Sequence, residues 1–142
     1  MVKSMRAADC FCGAGGASVG LASAGFDVCL GMDIDEEALS VYRANHAHTA
    51  LQMDIAHVSR AVDAIRSVGH VDMISGSPPC QDFSMCNDRR VEGARACLTA
   101  SFARVACTVR PRCVLVENVP QLLVSDAYQD AKRMLVEAGY SV

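Results

Sequence analysis

Val71-Asp72-Met73-Ile74-Ser75-Gly76-Ser77-Pro78-Pro79-Cys80-Gln81-Asp82 joins an apolar run to an abrupt stop. The run reads as a buried strand, and Gly76 to Pro79 end it. Two adjacent prolines fix φ and keep the residues before them extended. Pro79 therefore helps to set the position of the next side chain, the Cys80 thiol. In an open α/β sheet, ligands and chemistry gather at the carboxyl ends of the strands. A cysteine held there by a stiff backbone suits a nucleophile, although a proline turn can also carry an idle surface thiol.

The same strand-then-turn pattern recurs on either side. Ala7 to Phe11 reads as a first strand, followed by a glycine-rich turn at Gly13 to Gly16 and a helix from Ser18 to Ala24. Val28 to Met32 is a second strand and Glu36 to Asn45 a helix, with two acids in its first turn that favour the helix dipole. A short strand at Leu51 to Met53 precedes a helix at Val58 to Val68, and Val71 to Ser75 is the fourth strand. A long stretch, Gln81 to Ala96, lacks periodicity and holds Asp88, Arg89, Arg90, Glu92 and Arg95. It reads as a charged loop, and loops of that length in compact domains are commonly functional. A helix at Leu98 to Val109, a fifth strand at Cys113 to Val116 and an amphipathic helix at Ser125 to Ala138 follow. Tyr140-Ser141-Val142 reads as the start of a sixth strand. Alternating strands and helices predict a doubly wound, mainly parallel α/β sheet with helices on both faces and the first strand central.

Composition agrees with one globular domain over residues 1–142. Half the residues are hydrophobic (51%) and a fifth charged (20%), which is not the composition of a disordered chain. No apolar stretch reaches membrane-spanning length, and Met1 to Arg6 lacks the apolar core of a signal peptide. The eight cysteines form no C-x-x-C pair. Seven read as small buried hydrophobes of a reducing cytosol, so the expected location is the cytoplasm, or the nucleus in a eukaryote. The four histidines lack ligand spacing with any cysteine pair, and no metal site is expected. The net charge of −3 is unusual for a complete nucleic-acid binder, which carries a basic face.

Three constellations carry chemistry. Asp9-Cys10-Phe11-Cys12-Gly13-Ala14-Gly15-Gly16 places glycines where the backbone can approach a ligand. Alone, this is also a tight strand-to-helix turn. Asp33 ends the second strand some twenty residues later, the usual position of an acid that binds ribose hydroxyls. Asp54 ends the third strand, where an adenine amino group could donate to it or where it could cap the next helix. No lysine follows the glycines, which excludes a phosphate-cradling loop of the GK[ST] type. At the end of the fifth strand, Glu117 is placed for acid–base work beside Cys80, although alone such an acid is more often a cap or a satisfied loop acid.

In this order, these elements resemble the DNA (cytosine-5) methyltransferase family over nearly the whole chain. Asp9-x-Phe11-x-Gly13-x-Gly15-Gly16-x-Ser18-x-Gly20-Leu21 looks like the family's cofactor loop. Ser77-Pro78-Pro79-Cys80-Gln81-Asp82-Phe83-Ser84 looks like its nucleophile loop, and Glu117-Asn118-Val119 like its catalytic glutamate motif. The resemblance implies the Rossmann-like fold of S-adenosylmethionine-dependent methyltransferases, with that molecule as methyl donor. It implies that Phe11, Gly13 and Gly15 face the cofactor, that Asp33 holds its ribose, that Ile34 packs on its adenine and that Asp54 bonds the amino group. Leu98 falls where the family has a cofactor-contacting leucine. Asp33 stands where Glu is common, Ile34 where a bulkier residue is frequent, and Gly93 where an acid often precedes Arg95.

The resemblance further implies that Cys80 adds to carbon-6 of a cytosine flipped out of DNA. Glu117 would act on the ring nitrogen and amino group, with Pro79, Gln81 and Asn118 completing the catalytic set. Ser84, Arg89 and Arg90 would lie in a loop that closes over the nucleic acid; without the resemblance, that loop is an ordinary solvated one. Family members continue beyond the sixth strand with a Gln/Arg-rich motif, a recognition region and a last helix. The expectation is a sheet truncated after the fifth strand, belonging to one part of a split or truncated enzyme, with the missing C-terminal half or a second polypeptide as partner. Alternatives are a tRNA cytosine-5 methyltransferase of the same fold and a non-catalytic assembly subunit, for which the intact Cys80, Gln81, Glu117 and Asn118 set would be superfluous. A nicotinamide enzyme is disfavoured, because the third glycine of G-x-G-x-x-G is missing at its usual spacing.

Overall fold

The computed structural model describes residues 4–79 and 98–142. Its strands are β1 (Arg6–Cys10), β2 (Asp27–Asp33), β3 (Thr49–Gln52), β4 (Met73–Gly76) and β5 (Cys113–Val116). All pairings are parallel, in the order β3-β2-β1-β4-β5. The first strand is central, as the alternating pattern requires. Because the strands are parallel, their carboxyl ends share one edge of the sheet: Cys10 lies beside Met32 and Gly76, Asp33 beside Gln52, and Gly76 beside Val116.

Side chains of β1 alternate between the two faces. Ala7 packs with Leu21 and Val28 on one face. Ala8 and Cys10 join Ile65, Ile74 and Phe102 on the other. The helices α1 (Gly16–Ser23) and α2 (Glu36–Asn45) cover the first face, and α3 (Val58–Ser67) and α4 (Leu98–Val109) cover the second. A final helix, α5 (Asp126–Glu137), preceded by a 3-10 turn at Pro120–Val124, packs beside α4 through Ala131 and Leu135. Fully burying a side chain such as Phe102 stabilises the fold by roughly 1.5–3 kcal/mol.

Local chemistry sets the helix ends. Asp35 caps α2 by accepting from the Glu37 and Ala38 amides, which satisfies donors that have no partner within the helix. Ser125 caps α5 by accepting from Tyr128 N. Gly25 and Gly139 sit at φ +91° and +96° after α1 and α5. The Phe26 amide then reaches back to Leu21 O, and the Tyr140 amide to Leu135 O, the paired closure that favours a left-handed glycine.

Two expectations need correcting. Residues 140–142 form no strand. Tyr140 is committed to closing α5, and its hydroxyl donates to Pro111 O at 2.6 Å. Cys113 is exposed rather than buried, because nothing among the described residues flanks β5 on its outer side. Elsewhere the expected strands and helices form with ends shifted by up to two residues, and α2, α4 and β5 have the expected bounds. The expected charged loop, Gln81 to Ala96, lies outside the described residues.

Candidate active site

The glycine turn is built on three left-handed residues, Phe11 (φ +58°), Gly13 (φ +51°) and Gly15 (φ +104°). That conformation is costly for Phe11 and free for glycine. Two contacts hold the turn. The Gly13 amide donates to Asp33 Oδ2 at 2.8 Å, and the Gly15 amide to Cys12 O. A Cβ on Gly13 would meet nothing within 4 Å, so this side of the turn faces open space. A Cβ on Gly15 would overlap the His46 imidazole. Only glycine fits there, for close approach as well as for φ.

The acid expected at the end of β2 is in place. Asp33 is half-buried, and its other oxygen accepts from Asp35 N at 2.9 Å. Each carboxylate oxygen has a second acceptor site, so Asp33 orders the glycine turn and can still receive hydroxyl donors. Next to it Ile34 is 62% exposed, an apolar side chain largely open to solvent at the sheet edge. Gln52 Nε2 donates to Ile34 O and steadies that residue. Asp54 Oδ1 accepts from Ala56 N at 2.9 Å, which starts the turn toward α3 while His57 occupies the cap position. Asp54 is half-buried two residues beyond β3; it does not cap α3, whose cap position is His57. Leu98 is the first residue of α4. The structure thus collects Phe11, Gly13, Gly15, Asp33, Ile34 and Asp54 at the carboxyl ends of β1, β2 and β3.

The second group stands beyond β1, on the other half of the same edge. Glu117 directly follows β5, and its side chain is exposed. Its amide donates to Gly76 O at 3.1 Å. Asn118 Nδ2 donates to Pro78 O at 2.7 Å, and Asn118 Oδ1 accepts from Val119 N. The loop bearing Glu117 is therefore bonded to the last residues before Pro79 and Cys80. Gly76 has its own constraint, since a Cβ there would overlap the Phe102 ring. Cys80, Gln81, Ser84, Arg89 and Arg90 lie outside the described residues.

Burial separates Cys10, Cys12 and Cys29 from nucleophilic work. It raises the Cys10 and Cys29 thiols and, with the Asp9 and Asp33 charges adding to it, pushes Cys12 up to about 12. A thiol so protonated is inert at neutral pH. Among the described residues no cluster of three His, Cys, Asp or Glu side chains could hold a metal ion, and no helix is long and apolar enough to cross a membrane.

Sequence reading missed a polar cluster beneath the glycine turn. Asp9 is 1% exposed, and Ser18 and Tyr42 are fully buried. Ser18 Oγ donates to Asp9 Oδ2 at 2.7 Å and lies 2.7 Å from Tyr42 Oη, which lies 2.6 Å from His48 Nε2. Burial raises the Asp9 pKa, against the lowering effect of hydrogen bonds from Ser18 and Ser75. A charged residue inside the apolar strand β1 was the one available signal. Nothing local ties it to a tyrosine and a histidine some thirty to forty positions away.

The sequence model of C-5 cytosine-specific DNA methylases matches residues 5–142. The type II methyltransferase M.HindV of Haemophilus influenzae is 37% identical over 97% of this chain and 45% of its own length. The type II methyltransferase M.HgiGI of Herpetosiphon aurantiacus is 35% identical over 89% of this chain and all of its own length. Among solved structures, a DNA modification methyltransferase encoded within an Escherichia coli prophage superposes with TM-score 0.74 at 29% identity, over 96% of this chain and 38% of that one. The chain spans less than half of M.HindV and of the prophage protein.

Proposed function

Because the chain belongs to the family of C-5 cytosine-specific DNA methylases, we propose that it carries the methyl-donor site and the nucleophile of cytosine-5 methylation in DNA. One observation supports this most strongly. The Asn118 and Glu117 bonds to Pro78 O and Gly76 O join an acid at the end of β5 to the backbone that delivers Cys80. A binding module would have no need for Cys80, Gln81, Glu117 and Asn118 together.

The described residues fit S-adenosylmethionine. The open side of Gly13, the exposed apolar Ile34 and the half-buried Asp33 and Asp54 match the amino-acid, adenine, ribose and amino-group parts of such a molecule. Phe11, Gly15 and Leu98 would complete its surroundings. When bound, it supplies an electrophilic methyl group on a sulfonium. Cys80 adds as a thiolate to carbon-6 of the cytosine, which turns carbon-5 from a poor nucleophile into a good one. Glu117 bonds the ring nitrogen and amino group as charge develops there. Once carbon-5 carries that methyl group, the sulfonium sulfur having left as a neutral thioether, loss of the carbon-5 proton would expel Cys80. Pro79 and Asn118 hold the loop, and Gln81 completes the catalytic set. A duplex base must leave the stack to reach this site, and Ser84, Arg89 and Arg90 would lie in the loop that closes over the nucleic acid.

The rest of the assignment follows from charge and from β5. With a net charge of −3, the chain has little pull toward phosphates, which supply most non-specific DNA affinity. Among the described residues nothing pairs with the outer edge of β5, and a groove of about 860 Å³ lined by Phe102, Val114, Leu122, Tyr128 and Leu135 lies beside it. Its lining also takes in Val116 and Asn118 at the carboxyl end of β5. It is the uncovered flank of a sheet, and exposed strand edges are normally paired or covered. A DNA-recognition region, in the same polypeptide or in a second one, would cover it. The expected setting is a cytoplasmic restriction–modification system.

The test combines the chain with a polypeptide supplying the remaining length of its relatives, and adds S-adenosylmethionine with a labelled methyl group. Nucleoside analysis should find label in 5-methyldeoxycytidine of duplex DNA. Label only in transfer RNA would replace the DNA reading with the RNA one. Cofactor binding without transfer to either would leave a non-catalytic assembly subunit.

A further inference from the structure

The buried polar cluster has a direction that follows from counting protons. Ser18 has one hydroxyl proton and gives it to Asp9 Oδ2. Its oxygen must then accept from Tyr42 O–H, 2.7 Å away. The Tyr42 proton is thereby spent, so its oxygen accepts from His48 Nε2–H at 2.6 Å. In neutral His48 the proton is therefore on Nε2 and Nδ1 is bare. The chain runs His48 to Tyr42 to Ser18 to Asp9, from the segment after α2, through α2 and the first turn of α1, into β1.

The same residues form the seat of the glycine turn. The Tyr42 ring stacks on His46 at 4.3 Å between centroids. A Cβ on Gly15 would overlap His46 and come within 3.1 Å of Tyr42, and a Cβ on Gly31 would overlap Tyr42. The turn rests on these rings, and the hydrogen-bond chain fixes where they lie.

We propose that Tyr42 and His48 are positioning residues for the cofactor turn: the directed chain His48–Tyr42–Ser18–Asp9 holds the ring bed against which Gly15 is seated. The inference rests on the functional reading above, because the turn matters through the cofactor it receives. Tyr42→Phe removes one donor and one acceptor at once, leaving Ser18 and His48 each short of a partner. His48→Ala removes only the terminal donor. His48→Gln keeps an N–H donor at similar reach.

Two measurements on the full chain test this. Long-range proton–nitrogen spectra of the imidazoles should show a protonated Nε2 and a bare Nδ1 for His48; a proton on Nδ1 instead would overturn the chain's direction and the proposal with it. Calorimetric titration with S-adenosylmethionine follows, at a temperature where melting curves show each variant folded. Tyr42→Phe and His48→Ala should weaken binding about tenfold, the scale of one lost buried hydrogen bond, and His48→Gln should restore it. If the wild type binds and all variants bind equally, the positioning role is wrong. If the wild type does not bind the cofactor, the functional reading fails, and the tautomer spectrum still decides the hydrogen-bond chain on its own. Should Tyr42→Phe fail to fold, the two His48 variants carry the comparison.

Discussion

Strand β2 buries five consecutive residues, Val28 to Met32, whereas β5 buries none of its four. Both are short parallel strands rich in apolar side chains, and they differ in what lies beside them. β2 sits between β1 and β3, with α2 packed close by. β5 has β4 on one side and nothing on the other among the described residues. Leu115 is 44% exposed and Val116 36%. The cofactor half of the edge therefore carries its own supports: the Gly13–Asp33 bond, the ring bed under Gly15 and the capped α2. The other half has its joint, Asn118 to Pro78, but no flank among the described residues. A donor site can be preformed here while the reacting half depends on whatever covers β5.

The contrast breaks most sharply at Glu117. In the enzyme assembled with its recognition region, Glu117→Gln should lower turnover by about 10²–10⁴, as for a lost acid–base group. Calorimetry should find S-adenosylmethionine affinity unchanged. A large loss of affinity would move Glu117 into the cofactor half and erase the distinction.

On the other side, Gly15→Ala should destabilise the chain by about 1–3 kcal/mol through its left-handed backbone, plus overlap with His46. Thermal or denaturant unfolding would read the loss, and cofactor binding should fall with it. An alanine variant with wild-type stability and affinity would show that the turn is not seated as described.

The smallest effect on the fold is expected at the open flank. Leu115→Lys should change stability by no more than about 0.5 kcal/mol, as for an ordinary surface substitution. It should nevertheless suppress self-association in sedimentation, because a lysine blunts an exposed strand edge. If the wild type already sediments as a monomer at high concentration, the flank is not the liability that its exposure suggests.

The parts of this division that depend on local pattern were legible in the sequence. Apolar runs ended by acids or prolines located β2, β4 and β5, and two acids in its first turn located α2. The glycine turn and Asp33 could be paired by spacing alone, and the structure joins them through the Gly13 amide. Two features were not legible. Tyr140 reads as the start of a strand, yet after Gly139 the Tyr140 amide turns back to Leu135 O and closes α5. The chain from His48 to Asp9 joins residues thirty to forty positions apart across three elements, and such contacts leave no periodic trace. Asp9 hinted at it, being a charge in a strand otherwise made for a core.

The central claim is that this chain delivers the attacking thiol to cytosine. It is tested most directly by trapping. The chain, combined with a polypeptide supplying its recognition region, is given S-adenosylmethionine and a duplex with 5-fluorocytosine at the target, which blocks loss of the carbon-5 substituent. A denaturation-resistant protein–DNA adduct should form, map by mass spectrometry to the peptide containing Cys80, and vanish in Cys80→Ser. An adduct that persists in Cys80→Ser, or that maps to another cysteine, would contradict the account.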